Sequence, residues 1–96
     1  MTDKEKSAMV KTSWELHSLV EKAYLNHPAS SNDEDWLEKQ RYLLADMALH
    51  LLQTSVKPGP IELERLRDNL HAIITISDKF IPESELTTAL KKLYTK

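Results

Sequence analysis

Proline divides this chain into four segments of helical periodicity. The breaks are the stretch 26–32 around Pro28, then Lys57-Pro58-Gly59-Pro60, then Phe80-Ile81-Pro82. Proline lacks a backbone donor and disfavours helix in the residue before it, so each break parts two helices. Connections this short usually join antiparallel neighbours. The pattern predicts an all-α fold: an antiparallel helical bundle of four helices, three long and one shorter, joined by short proline-containing loops. With 96 residues it forms one domain spanning 1–96, large enough for one core.

The first helix is expected over residues 3–25. Thr2 followed by Glu5 is a capping-box pair. Met9, Leu16, Val20, Ala23 and Tyr24 form its apolar stripe, with Val10 and Trp14 on one flank and Leu19 on the other. The second helix is expected over 33–55. Ser31 with Glu34 offers a further capping box, and Asn32 competes as the cap. Asp33, Glu34 and Asp35 then crowd the first turn, where the helix dipole favours anions.

This second helix is apolar on most sides. Its main stripe is Trp36, Leu37, Leu43, Leu44, Met47, Ala48 and Leu51. A second line runs through Tyr42, Ala45, Leu49 and Leu52. Such a helix is covered either by its own bundle or by another chain. The third helix is expected over 60–78, opening at Pro60, with a stripe of Leu63, Leu66, Leu70, Ile73, Ile74 and Ser77. The β-branched run 73–76 stays helical because no second strand exists to pair with it. The fourth helix is expected over 82–94, with Leu86, Ala89, Leu90 and Leu93 inward and Lys91 and Lys92 near its C-terminal end.

Composition removes several functions. Cysteine is absent, which excludes disulfides, thiolate metal sites and thiol catalysis. The single glycine cannot build a phosphate loop or a dinucleotide fingerprint. The net charge of -2 favours neither nucleic acid nor an anionic membrane. No leader and no apolar run of about 18 residues is evident. The expected location is cytoplasmic.

Among candidates for chemistry, Asp46 and His50 stand four apart on the second helix, and Glu64, Asp68 and His71 share a side of the third. Carboxylates and imidazoles projecting into a bundle hold divalent metals in some proteins. Here both groups fall on the polar sides of their helices, so solvated ion pairs are expected and no metal or cofactor. His17 reads as a half-buried histidine bonded to a neighbour, and His27 as solvated. No nucleophile elbow or paired catalytic carboxylates occur, so the chain is not expected to be an enzyme.

The leading expectation is a small non-catalytic protein-binding module, regulatory, adaptor or inhibitor in type. It acts through an exposed apolar and aromatic helix face, and a homodimer about helix 2 is its simplest form. The binding residues expected are Trp14, Tyr42, Ala45, Leu49 and Leu52, with Asp33, Glu34, Asp35 and Glu38 steering a basic partner. The alternative is a DNA-binding regulator with helices 3 and 4 as a helix-turn-helix. Thr87, Thr88, Lys91 and Lys92 would face DNA, with Lys79 and Lys96 on phosphates. Glu83 and Glu85 at the start of the recognition helix oppose it.

Overall fold

The computed structural model describes residues 1–30 and 34–94. Among them the chain is all-helical: α1 (Asp3–Asn26), α2 (Trp36–Val56), α3 (Leu63–Ser77), a 3-10 turn (Pro82–Ser84) and α4 (Thr87–Leu93). No strand occurs among the described residues, and the β-branched run 73–76 lies inside α3.

α1 starts where its capping box places it. The Glu5 amide donates to the Thr2 hydroxyl (3.1 Å) and the Thr2 amide donates to the Glu5 carboxylate (2.9 Å). Hydrogen bonding from Thr2, its backbone amide first and then its side chain, holds the Glu5 carboxyl below its ordinary value. The stability this adds is complete above the ordinary glutamate range. It is lost as pH falls through the lowered folded value and the carboxylate protonates. Thr2→Ala is expected to cost about 1 kcal/mol, read by denaturant unfolding at neutral pH.

Three helix starts differ from expectation. α2 begins at Trp36 after Asp35, whose side chain makes no capping bond. The expected caps Ser31 and Asn32, and Asp33, lie outside the described residues. α3 begins at Leu63, not Pro60, because Gly59 turns the chain at φ +94 and Glu62 is still extended. Glu62 is gripped by Lys57 Nζ and Arg65 Nε, both at 2.6 Å, and these cations lower its carboxyl pKa. The expected fourth helix is broken. Glu85 adopts the left-handed region (φ 50, ψ 40), its amide donates to the Pro82 carbonyl, and α4 forms only from Thr87.

The helices pack in chain order. α1 packs on α2, α2 on α3, and α3 on α4, while among the described residues the backbones of α1 and α3 do not pack against each other. Along α1 and α2 the pairs that meet are Trp14 with His50, His17 with Asp46, and Tyr24 with Lys39. Between α2 and α3, the Thr54 hydroxyl donates to Asn69.

This is bundle packing opened into a single layer. The molecule measures 45 × 37 × 16 Å, with a radius of gyration of 15.2 Å. A compact chain of this length has roughly 12.5 Å. The accessible surface is 6985 Å², where a compact monomer of 11.1 kDa exposes roughly 5,700 Å². The expected apolar core is correspondingly unsealed. Among the described residues, Ala29 and Ile76 are the buried apolar side chains, while Ser13, Gln40 and Asp46 are buried polar ones. Leu16, Leu37 and Leu63, which sequence periodicity places in the core stripes, are exposed. A single layer has no second layer to cover them.

Candidate functional site

Two features stand out on this layer: a histidine–aspartate cluster in the α1–α2 seam, and an uncovered apolar side. The cluster forms because α1 lays His17 against Asp46 and His50, which share a side of α2 at a spacing of four. Asp46 is 7% exposed. Its Oδ1 is in hydrogen-bond contact with His17 Nδ1, and its Oδ2 lies 3.5 Å from His50 Nε2. The outer nitrogens are held as well. His17 Nε2 is 2.9 Å from Glu21 Oε2, and His50 Nδ1 is 3.1 Å from Gln53 Oε1. Trp14 stands edge-on to both imidazoles, with centroids 5.2 and 5.8 Å away.

Sequence periodicity expects Asp46 and His50 to be solvated. That placement is corrected here: Asp46 is buried in the seam, because the side of α2 that carries it meets α1. The second group remains at the surface as expected. Glu64, Asp68 and His71 are exposed, with Asp68 accepting from the Tyr94 hydroxyl and His71 beside the Tyr94 ring. His27 is half-buried and not simply solvated. Its Nδ1 accepts from the Ala29 amide, and its ring lies 6.3 Å from Tyr42.

The two sides of the layer differ in chemistry. On one side a groove of about 430 Å³ is lined by Val10, Trp14, His50, Thr54, Glu62 and Arg65 among others. On the other, Ala8, Met9, Leu16 and Leu52 line a hollow between α1 and α2 that is almost entirely apolar. Trp14 and Leu16 are two residues apart on α1, and His50 and Leu52 are two apart on α2. Such pairs point about 200° apart, so the groove and the hollow face opposite ways.

The expected binding residues therefore do not form one patch. Trp14, 49% exposed, lies on the groove side, and Leu52 on the apolar side. Tyr42, 39% exposed, lines a second hollow with Val20 and Tyr24 of α1. The line Tyr42-Ala45-Leu49-Leu52 points toward α1 but is not sealed by it, since Ala45 is exposed and Leu49 half-buried. Glu34 and Asp35 are exposed, Glu38 pairs with Arg41 at 2.6 Å, and Asp33 lies outside the described residues.

For the nucleic-acid alternative, Thr87, Thr88, Lys91 and Lys92 are exposed on α4, which has seven residues. The Thr88 hydroxyl donates to the Glu85 carbonyl, and the Lys79 ammonium sits 5.8 Å from the Trp36 ring centroid. Lys96 lies outside the described residues. No helix among the described residues is long and apolar enough to cross a membrane. Comparison with known proteins yields no matching family model, no matching curated protein and no matching solved structure.

Proposed function

We propose that the chain is a non-catalytic, cytoplasmic protein-binding module of adaptor or inhibitor type, and that it works as a homodimer through the apolar side of its helical layer. The observation that carries this is surface in excess. The 6985 Å² exposed exceeds the compact expectation by more than the roughly 800 Å² each partner contributes to a standard interface. Apolar layers are stable when a second layer covers them, and a second copy offers a layer of matching size. In that assembly the helices of each copy run antiparallel, and the two layers together make a closed bundle. Self-association of this kind is the commonest symmetric arrangement of soluble chains.

Mass action supplies a direct test. The dimer's unfolding temperature should rise as protein concentration is raised a hundredfold. A temperature that stays constant over that range counts against self-association.

The acidic start of α2, with Glu34 and Asp35 exposed, adds a steering charge for a basic target. Reversing both charges should slow binding to such a target and weaken its salt dependence.

A further inference from the structure

We propose that His17, Asp46 and His50 form a binding site for a divalent transition-metal cation such as Zn²⁺, which clasps α1 to α2. The three side chains offer ligand atoms that all lie within 4.8 Å of one another. Two imidazoles and a carboxylate are a donor set that zinc and its first-row neighbours accept. Ligands on a common tetrahedral zinc stand roughly 3.3 Å apart, given bonds of about 2.0–2.1 Å. The 3.5 Å between His50 Nε2 and Asp46 Oδ2 already matches that spacing. For a metal to sit among the three, the closer His17–Asp46 pair opens and the widest separation in the set, at most 4.8 Å, closes.

The outer shell points the same way. Glu21 Oε2 lies 2.9 Å from His17 Nε2 and Gln53 Oε1 lies 3.1 Å from His50 Nδ1, so a ring that turns its inner nitrogen to a metal finds an acceptor for the proton on its outer one. In that metal-bound tautomer the donor atoms are His17 Nδ1 and His50 Nε2, the two nitrogens that face the Asp46 carboxylate. A carboxylate or amide oxygen holding the far side of a metal-bound histidine is the usual arrangement around such ions. Trp14 shields the cluster from one side, and the groove beside His50 gives a way in.

Three protein ligands leave a fourth position open to water or to a donor from a bound molecule. The site lies in the α1–α2 seam of one chain and does not depend on the proposed dimer.

The test uses the full chain, freed of metal by a chelator and then titrated. Calorimetry should show one Zn²⁺ per chain, whatever the oligomeric state. Co²⁺ in its place should give the visible absorption of a low-symmetry site. Glu21→Gln, at an exposed position, should weaken Zn²⁺ binding roughly 10–100-fold without changing the unfolding temperature of the metal-free chain. Asp46→Asn should weaken it at least as much, and His71→Gln should leave it unchanged. No Zn²⁺ uptake by the native chain overturns the site. So does uptake that Asp46→Asn and Glu21→Gln leave intact, since the cluster then holds only protons.

Discussion

Glutamates placed together at Leu16 and Leu37 should leave the chain folded and turn it monomeric. Both leucines are already open to solvent in the single chain, at 45% and 42% exposure, so the substitutions remove little of its own packing. Leu16 lines the apolar hollow with Leu52, and Leu37 lies within about 60° of Leu52 around α2. A second layer docked on this side would trap both carboxylates without partners, which costs several kcal/mol. Each 1.4 kcal/mol is tenfold in affinity, so the dimer's Kd should rise at least about a hundredfold.

Leu25→Glu is the matching control. Leu25 is 66% exposed and nine residues from Leu16, which puts it on the opposite side of α1. It should leave the dimer intact. Analytical ultracentrifugation reads all three proteins. Equal Kd values for the double variant and the control would move the interface away from the apolar side.

Gln40→Leu should raise stability. Gln40 is 1% exposed, and neither its Nε2 nor its Oε1 has a hydrogen-bond partner among the described residues. It falls in line with Trp36, Leu43 and Met47 on the side of α2 that meets α3. An unpaired buried amide carries its full desolvation penalty, about 1–3 kcal/mol, and leucine fills similar space without it. The side chain is enclosed within one chain, so a docked partner cannot reach it. The expected gain is on the order of 10 °C in Tm at fixed concentration. A loss of stability on the substitution would mean that the amide is satisfied after all.

Much of the local structure was legible in the sequence. The Thr2–Glu5 box sets the start of α1, because caps act within a few residues. The starts of α3 and α4 were not. Glu62 stays extended through ties to Lys57 and Arg65, and Glu85 turns left-handed, choices that depend on contacts periodicity does not record.

The site was legible only in part. The spacing of Asp46 and His50 was visible, but His17 joins them from 29 residues away through the register of α1 on α2. That register is set by packing. The surplus of apolar surface was visible too, and was expected on the Tyr42-Leu52 line. Helix direction turns that line toward α1, and of its members Leu52 reaches the apolar side, beside Leu16. Periodicity assigns faces to a helix but does not name which neighbour each face meets.

The mass of the native chain in solution tests the open layer most directly. Light scattering across a wide concentration range should give twice the 11.1 kDa chain mass, falling toward one chain only on dilution or in the Leu16→Glu, Leu37→Glu variant. A single-chain mass at every concentration would contradict the dimer and leave the apolar side without its second layer.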